Sequence, residues 1–166
     1  MRLLLISNST NAGEDYLEHA KGNIKEFLGG KVSKVLFIPY AAVSFSYDEY
    51  QEKVQKRFDE FGVKVDSLHN YDFKDKKKAV QEAEAIVVGG GNTFHLLKVM
   101  QQEDLIEIMR HAACKMANCL HFLRLEKLFL EFLSFKLHIF SVCCDFSVYD
   151  YSTYGSVAFI PGPAFP

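Results

Sequence analysis

The sequence has no tryptophan, and its 166 residues include only four prolines and four cysteines. Cys114, Cys119, Cys143 and Cys144 show no metal-ligand spacing, and the vicinal pair is a poor disulfide. These absences argue against a metal centre and a disulfide scaffold, and make a reducing, cytoplasmic setting the default. Charge of one sign is also missing. A formal net charge of −2 leaves no electrostatic footprint for nucleic acid. Long apolar runs are absent as well. Residues 128–144 are 17 in number, short for a membrane span, and are interrupted by Glu131, Lys136 and His138. The opening Arg2-Leu3-Leu4-Leu5-Ile6 stops at Ser7-Asn8-Ser9 after four apolar residues, and reads as a first strand rather than a signal sequence. There are no internal repeats. Neither the G-x-x-x-x-G-K-[ST] nor the G-x-G-x-x-G phosphate pattern occurs, and neither does the G-x-S-x-G of a nucleophile elbow.

What remains is an ordinary globular composition, 49% hydrophobic, in a chain long enough to bury one real core. The first 115 residues alternate strand and helix signals, the pattern of a doubly wound parallel α/β sheet. Strands are expected at residues 2–6, at 35–38 ended by Pro39, from Val63 and Val65 onward, and at 85–88. Helices are expected at 15–28, stopped by Gly29-Gly30, and at 47–61, with Tyr50, Val54, Phe58 and Phe61 on one face. A short helix opens at Lys74-Asp75-Lys76-Lys77-Lys78, whose lysines sit among enough acids to be a solvated face. Another follows residue 94 and runs to about 113, with a break at 101–104. In such a sheet, ligands sit at the carboxyl ends of the strands. That edge collects residues 7–10, 39–42 and 89–93.

Among these, Gly89-Gly90-Gly91-Asn92-Thr93-Phe94 is the most informative run. Glycines at a strand end permit φ > 0 and bring bare N–H groups close to a bound group. Asn92 or Thr93 can cap the next helix, whose first N–H groups face an anion or a developing oxyanion. A tight strand–helix turn with no ligand is the competing reading, and a nucleotide- or phosphate-binding loop at 89–92 is the alternative function.

The composition changes at Lys115. Residues 1–115 hold 33 of the 40 charged side chains, whereas the last 51 residues hold 7 together with eight of the fifteen Phe. Leu123, Leu128, Leu130, Leu133, Leu137 and Ile139 satisfy helix and strand templates about equally. Residues 149–166, with Gly155, Pro161, Gly162, Pro163 and Pro166, read as loop. The expected division is an N-terminal α/β part at 1–115 and a divergent Phe/Leu-rich tail at 116–166.

Leu3-Leu4-Leu5-Ile6-Ser7-Asn8-Ser9-Thr10, Tyr16-Leu17-Glu18-His19-Ala20, Phe37-Ile38-Pro39-Tyr40-Ala41, Asp48-Glu49-Tyr50 and Val87-Val88-Gly89-Gly90-Gly91-Asn92-Thr93-Phe94, in that order, resemble peptidase E. The match covers about residues 1–115, roughly the first half of a family member. The resemblance implies a truncated fold similar to class I glutamine amidotransferases, and a cytoplasmic serine-type aspartyl dipeptidase cleaving Asp-X dipeptides without cofactor, metal, nucleic acid or membrane. It assigns an oxyanion-hole N–H to Gly91, with Gly90 shaping the turn and Asn92 completing the loop. Asn8, Ser9 and Thr10 fall where substrate could touch, or else form turn hydrogen bonds and cap the next helix.

The family continues into a strand ending in Gly-Trp-Ser-Ala-Gly, whereas this chain continues as Met116-Ala117-Asn118-Cys119. An abrupt switch at one residue is expected of a tail from another reading frame, a retained intron or an alternative exon, and hence of an inactive isoform. Ser134, Ser141, Ser147, Ser152, Cys143, Cys144, His121, His138, Asp145 and Asp150 lie in the tail, but no glycine-flanked turn exposes a nucleophile among them. His95 and His111 have no partner at i+4 and read as surface or interface side chains. His19 reads as a helix residue near the sheet edge.

Overall fold

A computed structural model describes residues 2–6, 8–115, 118–122 and 157–160. In chain order the elements are β1 (Arg2–Ile6), α1 (Lys21–Leu28), β2 (Lys34–Ile38), α2 (Tyr47–Asp59), β3 (Lys64–Ser67), a 3₁₀ turn (Leu68–Asn70), α3 (Phe73–Glu82), β4 (Ile86–Val88), α4 (Thr93–Gln102), α5 (Ile106–Lys115), β5 (Asn118–Phe122) and β6 (Val157–Ile160). The strands form one sheet in the order β3-β2-β4-β5-β1-β6, with every neighbouring pair parallel.

The continuous apolar strands are explained by burial on both faces. Val35 and Phe37 of β2, with Val87 of β4, join a core that includes Ile24 and Phe27 of α1 and Val54 and Phe58 of α2. Leu36, Ile38, Ile86 and Val88 point the other way, into a core with Val80 of α3, Leu96 of α4 and Ala112 of α5. Successive side chains thus serve opposite layers, and the sheet is covered by helices on each side.

Helix ends follow local chemistry. Ser46 caps α2 through a reciprocal box with Glu49: the Glu49 N–H donates to Ser46 Oγ at 3.1 Å, and the Ser46 N–H donates to Glu49 Oε2 at 2.8 Å. Gly29 ends α1 at φ +62°, as its position predicts. The start of α1 is a correction. The helix expected from residue 15 begins at Lys21, because Leu17 adopts φ +58° and sends its N–H to the Ser9 carbonyl at 2.7 Å. A left-handed leucine costs about 1–2 kcal/mol, so the surroundings must hold it there. Leu17 is fully buried, and Arg57 of α2 clamps the same turn. Arg57 Nε donates to the Tyr16 carbonyl at 2.7 Å, and Nη1 reaches Glu18 at 2.6 Å and Glu60 at 2.7 Å.

Two strands fall beyond Lys115. β5 occupies the centre of the sheet between β4 and β1, and β6 lies outside β1. The strand at Val157–Ile160 corrects the reading of 149–166 as loop throughout. Gly155 and Pro161 do punctuate the chain, but the Val-Ala-Phe-Ile run between them has the side chains of a strand. The ambiguous stretch from Leu123 to Cys144 lies outside the described residues. Among the described residues, no helix is long and apolar enough to cross a membrane.

Because Arg57 is almost wholly buried and serves one carbonyl and two carboxylates, replacing it should unseat the Leu17 turn. Both carboxylates are partly exposed, which moderates the loss to about 2–3 kcal/mol for Arg57→Ala. Urea denaturation would record this as a lower midpoint with little change in slope.

Candidate functional site

The three glycines after β4 do different things. A Cβ on Gly89 would lie 2.7 Å from the Tyr50 ring, so this residue must be bare for the ring to pass. Gly90 offers its carbonyl to the Tyr50 hydroxyl at 3.1 Å. Gly91 alone has a positive φ, +141°, and a Cβ there would meet the Ala41 carbonyl oxygen at 2.4 Å. Next, the Asn92 N–H donates to that same Ala41 carbonyl at 2.8 Å, and Asn92 Oδ1 caps α4 by accepting from the His95 N–H at 2.9 Å. The loop after β2 is thereby bonded to the loop after β4. Among the described residues neither the Gly90 nor the Gly91 N–H donates a hydrogen bond, and Gly91 and Asn92 are exposed. This leaves two backbone N–H groups without a hydrogen-bond partner beside a helix N-terminus, where a carboxylate, phosphate or oxyanion could be stabilised.

An aromatic layer supports the loop. Tyr50 packs edge-on against Phe37 at 4.9 Å and Phe45 at 5.1 Å, measured between ring centroids. The Tyr47 hydroxyl lies 3.2 Å from His95 Nε2. Tyr40 donates its hydroxyl to Glu103 Oε2 at 3.0 Å, and Lys76 Nζ reaches Glu103 Oε1 at 2.6 Å. Burial first, and then the Glu103 carboxylate, push the Tyr40 and Tyr47 hydroxyls above the usual phenol range. Burial also raises the Tyr50 hydroxyl above the usual phenol range.

One constellation escaped the sequence reading. Ser67 Oγ lies 2.7 Å from His69 Nδ1, and His69 Nε2 lies 2.9 Å from Asp48 Oδ1, so a serine, an imidazole and a carboxylate stand in hydrogen-bonded succession. Ser67 is fully buried, however, and no substrate carbonyl can reach its oxygen. The triplet is a strut from the end of β3 to the first turn of α2. Its only signal in the sequence is Ser-x-His with a distant Asp, which is too common to use.

Asn8, Ser9 and Thr10 follow β1, separated from β4 by β5. Asn8 spends its amide on the turn, donating to the Thr10 carbonyl at 2.8 Å and to Asn11 Oδ1 at 3.0 Å, while its Oδ1 accepts from the Thr10 N–H at 3.3 Å. The capping role does not apply, since Ala20 occupies the N-cap of α1. His19 precedes α1, with both ring nitrogens buried and unbonded and Nδ1 3.8 Å from Glu14 Oε2. His111 Nδ1 lies 2.8 Å from the Glu107 carbonyl oxygen. The tail serines, Cys143, Cys144, His138, Asp145 and Asp150 lie outside the described residues. His121 is in β5, in register with Val88 of β4 and Leu5 of β1.

Residues 3–118 match peptidase family S51, well over half of the chain. The chain belongs to this family. Its relatives include peptidase E of Nostoc sp. (47% identical over 110 residues, 66% of this chain and 45% of the relative) and peptidase E of Salmonella typhimurium (44% over 109 residues, 66% and 46%). The chain thus spans about half the length of the curated relatives it matches. The fold is similar to crystal structures of a candidate peptidase E protein from Listeria monocytogenes EGD-e (TM-score 0.54, 21% identity, 72% of this chain and 56% of that one) and of a peptidase from an acI-B1 actinobacterium (TM-score 0.52, 17%, 72% and 52%). In family S51 terms, the matched region takes in the glycine loop, the α4 cap and the tyrosine layer beneath them.

Gly91→Ala combines a disallowed φ with a clash against fixed backbone, and should cost about 3 kcal/mol or more. Gly30→Ala, at φ +64° with open space around it, should cost only about 1 kcal/mol. Thermal unfolding of the two variants side by side separates steric approach from backbone freedom. A pH series tests the tyrosines. Raised native pKa values keep their contribution intact below the ordinary phenol value near ~10 and lose it as the pH climbs further, because only the unfolded chain then ionises. Stability should fall above that point, and Tyr40→Phe should flatten the alkaline slope.

Proposed function

We propose that this chain carries the oxyanion-binding half of a serine-type dipeptidase directed at dipeptides with an N-terminal aspartate, and that alone it does not turn them over. The observation that carries the reading is the pair of unbonded Gly90 and Gly91 N–H groups beside the α4 N-terminus, in a member of peptidase family S51. In acyl transfer, donors so placed stabilise the tetrahedral oxyanion, while a histidine-activated serine supplies the attack.

The attacking group is the missing part. β5 lies directly beside β4 and ends at Phe122, so a nucleophile presented next to the glycine loop would belong to the residues that follow. Those residues are Leu123-Arg124-Leu125, with no hydroxyl or thiol among them. Loss of such a nucleophile costs about six orders of magnitude in kcat, and leaves only binding and oxyanion contributions. We place the protein in the reducing cytoplasm, with a small Asp-X peptide as its ligand and neither nucleic acid nor membrane as partner. The change of composition after Lys115 supports an alternative exon or reading frame as the origin of the tail.

The purified chain, incubated with an Asp-X dipeptide beside a full-length peptidase E, should show no turnover above background. A fluorophosphonate probe should leave every serine unlabelled, Ser67 included. Turnover comparable to the full-length enzyme would overturn the reading. Saturable nucleotide binding abolished by Gly91→Val would instead favour a phosphate-binding module at the same loop.

A further inference from the structure

Among the described residues β3 is one of the two outer strands of the sheet, and such an edge normally presents a row of unpaired backbone groups to other chains. In β3 the backbone alternates. The Lys64 N–H turns inward to the Ser33 carbonyl at 3.0 Å, so Val63 and Val65 direct their polar groups outward. Two side chains of α2 meet those groups. Gln55 Oε1 accepts the Val65 N–H at 2.7 Å, and Gln55 Nε2 donates to the Val63 carbonyl at 3.2 Å. Gln51 Nε2 donates to the Val65 carbonyl at 3.3 Å. Both amides are braced, Gln55 by donating to Asp59 Oδ1 at 2.6 Å and Gln51 by accepting from Asn70 Nδ2 at 2.9 Å. Standing one helical turn apart, the two glutamines act together as a surrogate strand.

We propose that Gln51 and Gln55 are a plug on the β3 edge, and that the edge they close is complementary to the same edge of a second copy of this chain. The sequence Lys64-Val65-Asp66 makes the match. Set antiparallel about a two-fold axis, Val65 opposes Val65, and the outward N–H and C=O of each can be exchanged as a hydrogen-bonded pair. Lys64 then opposes Asp66 of the second copy on the same sheet face, in both directions, which places opposite charges in direct cross-strand register. Lys64 is exposed, and Asp66, which already pairs with Lys34 and accepts from the Tyr71 hydroxyl through Oδ2, would meet it with its other oxygen. At Val65 the edge is closed by the two glutamine side chains alone, while the Val63 N–H is held by the Phe58 carbonyl at 3.1 Å.

The test uses the full chain in analytical ultracentrifugation. Gln51→Ala/Gln55→Ala should sediment as a monomer–dimer equilibrium that shifts with concentration, and adding Lys64→Asp should return it to monomer. A double variant that stays monomeric as concentration rises overturns the proposal. So does association that ignores Lys64→Asp, which would come from a surface elsewhere such as the apolar tail. Amide hydrogen exchange gives a second reading that needs no double variant. In the unsubstituted chain Val65 should exchange as slowly as the inward-bonded Lys64, and Gln55→Ala at a concentration where it is monomeric should accelerate it about tenfold. Rapid exchange at Val65 in the unsubstituted chain would show the edge open and sink the plug.

Discussion

The close approach of Gly91 to the Ala41 carbonyl is the contact on which the candidate site depends. With an oxygen 2.4 Å from where a Cβ would stand, the two loops can touch only because that residue has no side chain. The touching is what lets the Asn92 N–H reach the same carbonyl, and Asn92 in turn starts α4 by capping His95. From there the constraint spreads inward. α4 lays Leu96 into the second core, and the break after it sets Leu105, fully buried, at the head of α5. A single backbone-to-backbone contact therefore fixes the course of the glycine loop and the packing of the helices behind it.

Beneath that contact lies a cluster of buried and half-buried polar groups that satisfy one another. Glu103, in the break between α4 and α5, accepts from Tyr40 and from Lys76 of α3. Lys76 lies 5.5 Å from the centre of the Tyr40 ring, so its charge is offset by a carboxylate and by an aromatic face. This cluster ties the loop after β2 to both helices of the far layer. Removing one member would leave the others desolvated and unpaired, which is why such groups hold geometry better than they add stability.

Much of this was legible in the sequence. The strands at Arg2–Ile6, Lys34–Ile38 and Ile86–Val88, the amphipathic α2 and the break before α5 all follow from apolar runs and punctuation that act locally. The glycine run was readable as a turn at the ligand edge, but not the division of labour within it. That Gly89 yields space to Tyr50 while Gly91 yields to Ala41 depends on residues far away in the chain. The late start of α1 was hidden for the same reason. Nothing near Leu17 signals a left-handed residue, and the clamp that holds it there comes from Arg57 on another helix. The amides of Gln51 and Gln55 read as ordinary helix surface until β3 is laid beside them.

The sheet order gives the composition change at Lys115 a further consequence. Among the described residues, β1 pairs only with β5 and β6, both of which follow that point in the chain. Residues 2–6 therefore have no strand neighbour within 8–115, although they supply Leu4 and Ile6 to the core shared by α1 and α2. The first strand must wait for segments more than a hundred residues distant before its backbone is satisfied. Such long-range parallel pairing is slow, because loop closure has to precede any gain from contact. β5 is also the bridge between β4 and β1, so the side of the sheet bearing the glycine loop and the side bearing Asn8–Thr10 are joined through residues from beyond the composition change. The two loop clusters can form one site only if that central strand is in place, whatever residues the chain supplies after it.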